Sequence, residues 1–212
     1  MDGTISGVHV SDAGSSSGDA ECAVYTTPLC YAGICETSEF ADPTVDIFVK
    51  RIKPRLVIPR RLTMFGCFKG PGYASAAIGH GGAPHQTRGG GVNVYTMDHR
   101  GTGRSTLFDC CSSITTSSTW GRDSDPSEVA ACAKDFQMKY GDLASFSTTS
   151  AAMDILPFFS KYSNGASSIV YGVSYGTVVV ERLMHLNPPT VNGYALDGIA
   201  TASGASGNKF EY

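Results

Sequence analysis

Gly172-Val173-Ser174-Tyr175-Gly176 sets a serine between two glycines at the GxSxG spacing. A serine hydroxyl becomes a useful nucleophile when a sharp turn exposes it and a neighbouring base takes its proton. Small residues on either side let the backbone fold tightly enough to push Oγ outward at the end of a strand. The next residue, Tyr175, would sit at a helix N-terminus, where backbone N–H groups have no partner within the helix. Its amide is therefore placed to donate to an oxyanion formed on a substrate carbonyl. Ser174 is the candidate nucleophile and Tyr175 a candidate oxyanion donor.

The base is harder to find. Only His185 follows the serine. It lies farther along the same helix, roughly 16 Å away at about 1.5 Å per residue, too far to take the proton. Asp197 ends a later apolar stretch where a catalytic acid could stand, but it has no histidine to orient. His80, His85 and His99 precede the serine and read as surface or loop histidines. The cysteines lack CxxC or His-Cys spacing, so no metal site is expected, and nothing calls for a cofactor.

Alternating strands and helices must position these residues. Ser168-Ile169-Val170-Tyr171-Gly172-Val173 is a short β-branched run suited to a buried parallel strand, and Thr177 to Leu186 reads as the helix after the serine. Upstream, 44–52 alternates polar and apolar residues as a half-buried strand near a sheet edge, and 62–68 reads as a more buried one. The latter runs into a Gly70-Pro71-Gly72 turn. A strand over 91–98 delivers the loop His99-Arg100-Gly101-Thr102-Gly103-Arg104-Ser105, which lacks the Lys-Ser/Thr ending of a phosphate loop and reads as a tight turn pinned by Asp98 and Arg100.

Asp125-Pro126-Ser127-Glu128 starts a helix that runs to Tyr140. A second begins near Thr148, with Pro157 expected to bend or interrupt it before Tyr162. Asn187-Pro188-Pro189 stops the helix after the serine, and 194–197 forms a last short strand. The pattern predicts a doubly wound, mostly parallel sheet with helices on both faces.

The chain has 212 residues and 42% hydrophobic content, enough for one buried domain. A net charge of −3 gives no general attraction to nucleic acid or an anionic membrane. Lys50, Arg51, Lys53, Arg55, Arg60 and Arg61 crowd one stretch, which reads as a solvated connection because no aromatics support a nucleic-acid site. No apolar run approaches the roughly 20 residues that span a bilayer. Residues 1–20 read as a disordered lead-in without a signal peptide, and 21–44 as a cysteine-containing segment. The seven cysteines suit an oxidised, extracellular setting, with pairing expected within Cys22, Cys30 and Cys35, and between Cys132 and Cys110 or Cys111. Spacing alone does not choose among these pairings.

Three stretches in order resemble the prolyl aminopeptidase and tripeptidyl peptidase branch of the α/β-hydrolase serine peptidases: Gly70-Pro71-Gly72, Asp98 to Ser105, and Gly172 to Thr177. The resemblance extends through Ala151-Ala152-Met153-Asp154 and Leu196-Asp197-Gly198, and secreted serine proteases of oomycetes carry cysteines placed like Cys22, Cys30 and Cys35. It implies an α/β-hydrolase fold over 45–212 with Ser174 as nucleophile. Tyr175 and Gly70 would supply the oxyanion amides, and the substrate would be a peptide cleaved near its N-terminus outside the cell. The family carries two glycines before the proline of its oxyanion loop, where this chain has Lys69-Gly70. By the same resemblance the chain stops before the lid, the last strands, the acid and the base. The expected function is therefore a serine peptidase of which this chain is an incomplete, inactive portion. The alternatives are a binding or decoy protein that retains the scaffold, and an esterase.

Overall fold

The computed structural model describes residues 20–52, 63–67, 92–108, 126–162 and 167–200. The strands are β1 (Ala20–Pro28), β2 (Thr44–Ile52), β3 (Thr63–Cys67), β4 (Asn93–Met97), β5 (Ser168–Val173) and β6 (Val191–Asp197). The helices are α1 (Pro126–Tyr140), α2 (Thr148–Tyr162) and α3 (Tyr175–Leu186), with a 3-10 turn at Leu143–Phe146 between the first two.

The strands form one sheet in the order β1-β2-β4-β3-β5-β6. β2 is antiparallel to β1 and β4, whereas β4, β3, β5 and β6 run parallel. The order reverses at β3. From β3 the chain passes to one side to make β4, then returns across β3 to make β5. A reversal of this kind is the strand order of a doubly wound sheet. This is the mostly parallel arrangement expected from the alternation of elements, and it is the α/β-hydrolase order that the resemblance implies. The crossover from β3 to β4 lies outside the described residues.

α2 and α3 occupy crossovers that run in the same direction and therefore share a face. α2 buries Ala152, Ile155, Phe158 and Phe159, and α3 buries Val179, Val180 and Leu183, each set on one helical stripe. They meet Ile47, Val49, Met97 and Val170 from the sheet in one core. Phe158 packs edge-on against Tyr95 of β4, ring centroids 4.9 Å apart. α2 runs continuously through Pro157, because neighbouring turns and the packed Phe158 and Phe159 hold it where a missing N–H would otherwise break the ladder. α3 stops as expected: Asn187 turns left-handed at φ 46°, and its N–H reaches the carbonyls of Leu183 and Met184.

Several expectations need correction. β1 lies within the segment set aside as cysteine-containing, and it pairs with β2 along its whole length, from Ala20 opposite Ile52 to Pro28 opposite Thr44. Its alternation is weak because Val24 is exposed, so the strand is defined by its non-local partner more than by its own pattern. Lys50 and Arg51, counted with the solvated basic stretch, belong to β2: Lys50 is buried, and Arg51 donates to Asn93 Oδ1 at 2.7 Å and pairs with Glu21 at 3.3 Å. Residues 53–62, and 1–19 of the lead-in 1–20, lie outside the described residues, while Ala20 opens β1.

Cys30 and Cys35 form a disulfide with Cα atoms 5.5 Å apart, while Cys22 is a buried free thiol. Cys132 is also disulfide-bonded. Cys110 and Cys111, its expected partners, are not among the described residues.

Asp98 and Arg100 pin the loop after β4, as expected, but Arg100 does more than close a turn. Asp98 Oδ2 accepts from the Arg104 amide at 2.9 Å. Arg100 is buried and grips Asp154 of α2 through Nε at 2.8 Å and Nη2 at 2.6 Å. Its remaining donors reach the carbonyls of Leu29, Ser145 and Pro28. One guanidinium thereby ties the β1–β2 connection, the 3-10 turn and α2 to the end of β4. Tyr31 completes the network, its hydroxyl donating to Asp154 Oδ1 at 2.8 Å. Burial, reinforced by the Asp154 carboxylate, pushes the Tyr31 phenol well up from its ordinary range.

Candidate active site

β5 ends at Val173 and α3 begins at Tyr175, leaving Ser174 alone to make the turn. Its backbone has φ 54° and ψ −125°, a conformation that non-glycine residues avoid and that costs about 1–3 kcal/mol. The side chain is exposed. Gly172 shows why the motif requires small residues: a Cβ there would meet the Gly176 carbonyl oxygen and Val180 Cγ2 at 2.8 Å each. The close approach of α3 to β5 leaves no room for a methyl group.

Three hydrogen bonds hold the strained turn. The Ser174 amide donates to the Asp197 carbonyl at 2.9 Å, tying it to the end of β6. The Ser174 carbonyl accepts from the Thr177 amide at 2.9 Å and from Thr177 Oγ1 at 2.6 Å. Thr177 Oγ1 in turn accepts from the Ala200 amide at 2.9 Å. The Tyr175 amide opens the helix and has no carbonyl one turn behind it to bond. It remains a candidate oxyanion donor on geometric grounds. Gly70, the expected second donor, lies outside the described residues, as do His80 and His85.

Asp197 sits at the carboxyl end of β6 with its side chain exposed, and its Oδ2 accepts from the Tyr171 hydroxyl at 2.8 Å. Burial, and then this carboxylate, raises the Tyr171 phenol, which keeps it a donor. His185 is exposed in the last turn of α3, on the far end of the helix from Ser174.

His99 lies on the loop after β4, as expected, but it is buried rather than on the surface. It is 5% exposed, and among the described residues neither ring nitrogen has a hydrogen-bond partner. Its ring stands at 80° to that of Tyr175, centroids 6.2 Å apart. The Tyr175 hydroxyl shares a hydrogen bond of 3.2 Å with Thr148 Oγ1 at the start of α2. Burial pushes the His99 imidazole below its ordinary range, against the opposing pull of Asp154 and Asp98, so it is neutral. No periodicity marks such a residue, because its environment is assembled from β4, α2 and α3.

No family model matches the chain, and no curated protein matches it. Solved structures do. A putative hydrolase from Agrobacterium vitis S4 matches at 14% identity and TM-score 0.46, over 84% of this chain and 51% of that one. A thermostable carboxyl esterase from Bacillus coagulans matches at 14% identity and TM-score 0.45, over 82% and 43%. The proline iminopeptidase of Mycobacterium smegmatis matches at 18% identity and TM-score 0.46, over 75% and 42%. The chain spans about half or less of the length of these structures. At such scores they stand as resemblances, while the strand order and the turn at Ser174 carry the assignment to the α/β-hydrolase fold.

Proposed function

We propose that the chain is part of a serine hydrolase, a peptidase that cleaves near peptide N-termini through an acyl-enzyme on Ser174. The observation that carries this reading is the strained, exposed Ser174 between β5 and α3, with Tyr175 as the first residue of the helix. A fold retains strain of this kind where the geometry is used. In the proposed reaction Ser174 Oγ attacks the scissile carbonyl, its proton passes to a base, and the Tyr175 amide receives the developing oxyanion, with Gly70 as the second donor. Collapse of the tetrahedral adduct releases the amine, and water then hydrolyses the ester.

The same machinery cleaves esters, so the peptide preference rests on the sequence resemblance, as does an extracellular setting. The Cys30–Cys35 disulfide is in keeping with that setting. No nucleic-acid or membrane partner is part of the proposal. The test is hydrolysis of aminoacyl and tripeptidyl amides, and of an activated ester, by the purified chain beside Ser174→Ala, with covalent labelling by a fluorophosphonate as a second readout. Labelling that survives Ser174→Ala would place the reactive group elsewhere and remove Ser174 from the mechanism.

A further inference from the structure

A buried imidazole with both nitrogens unpartnered is costly, and in a native fold it calls for an explanation. His99 is such a group, and it lies against the ring of the residue whose amide follows Ser174. β3 separates β4 from β5 in the sheet, so His99 and Tyr175 approach each other across the carboxyl end of β3. That is the point where the strand order reverses and where open α/β sheets form their crevice. Thr148 holds the Tyr175 ring by its hydroxyl and His99 flanks it, which fixes the first residue of α3 from two sides.

We propose that His99 is a positioning residue for the oxyanion donor, a neutral imidazole that braces the Tyr175 ring and releases it on taking up a proton. The titratable and charged groups that face it are Asp98 on its own loop, Asp154 on α2, which pairs with Arg100 and accepts from Tyr31, and Tyr175 on α3. A proton on His99 has no acceptor at either nitrogen among the described residues, so the charged ring must move to find water or a carboxylate. That movement takes the support from Tyr175 and, through the short α3 N-terminus, from its amide. This role rests on the proposed hydrolase reading for its use in catalysis, but the coupling itself is a property of the fold.

The experiment labels the full chain with 3-fluorotyrosine, identifies the Tyr175 signal by its loss in Tyr175→Phe, and follows it from about pH 7.5 to about pH 5 in wild type, His99→Phe and His99→Gln. The wild-type signal is expected to shift with a midpoint below that of a free histidine, and to stay fixed in both variants. His99→Gln carries the comparison should His99→Phe fail to fold. A Tyr175 signal that is unmoved in wild type, or that moves equally in the variants, would overturn the proposal. A kinetic arm uses any turnover that Ser174→Ala abolishes. Wild type should lose it about tenfold per pH unit below the transition, an acid limb missing from His99→Phe whatever its absolute rate, and an identical limb in both overturns the proposal. Fluorophosphonate labelling that survives Ser174→Ala would count against the hydrolase reading, and the fluorine signal would still decide the role of His99.

Discussion

The Ser174 amide donates to the Asp197 carbonyl at 2.9 Å, so the turn at Ser174 is fastened to the carboxyl end of the neighbouring strand β6. Val173 lies opposite Asp197 in the parallel register, and this bond extends the ladder one residue past the end of β5. An amide used in this way is not available to another acceptor. The strain at Ser174 is thus held by the sheet on one side and by Thr177 on the other.

Replacing Ser174 with glycine relieves the positive φ, and replacing it with alanine does not. Ser174→Gly is expected to raise stability by about 1 kcal/mol, whereas Ser174→Ala leaves it within about 0.5 kcal/mol. Urea denaturation of the two variants checks this. Equal stabilities would mean that the turn is not strained in solution.

Gly172→Ala should cost about 1–3 kcal/mol, because the added Cβ meets the Gly176 backbone and Val180, neither of which can step aside without separating α3 from β5. Loss of fluorophosphonate labelling should accompany the loss of stability. A variant as stable as wild type would show that the helix is less closely seated than its geometry indicates.

Arg100→Ala leaves the Asp154 carboxylate buried without its cation, at an expected cost of about 3–5 kcal/mol. Arg100→Lys should recover little, since a single ammonium cannot bridge both carboxylate oxygens and also reach the carbonyls of Leu29, Ser145 and Pro28. Thermal melts of both variants provide the measurement, and full recovery by lysine would reduce the site to a simple charge pair.

The depressed His99 imidazole has a defined consequence for acid stability. Its folded-state value lies below its unfolded value of about 6.5. Between the two the unfolded chain binds the extra proton, so stability falls as pH falls through this window, by at most about 1.4 kcal/mol per unit. Above the window the contribution is fully present, and below it no further loss arises from this residue. His99→Phe should remove this part of the slope. A slope unchanged by the substitution would mean that His99 titrates alike in both states.

Among the described residues no histidine is placed to serve Ser174 as base: His185 is at the far end of α3 and His99 is packed against the Tyr175 ring. The purified chain is accordingly expected to turn over peptide amides little or not at all, close to the residual catalysis of about 10³–10⁴ over water left when a triad histidine is removed. Robust turnover abolished by Ser174→Ala would show that a base comes from outside the described residues.

The sequence by itself determined what depends on neighbours within a few positions. The β-branched run before Ser174, the proline opening α1 and the Asn187 stop of α3 are local patterns, and each element stands within a few residues of its expected limits. The GxSxG spacing likewise dictated the turn, because the steric demand that Gly172 meets lies within one strand and the helix that follows it. Only the tertiary structure decided the rest. β1 becomes a strand through β2, Arg100 finds its carboxylate 54 residues away on α2, and His99 is buried by elements that the chain reaches much later. Periodicity records which face of an element avoids water, whereas these three features depend on which elements meet, and that is set by the strand order and the crossovers.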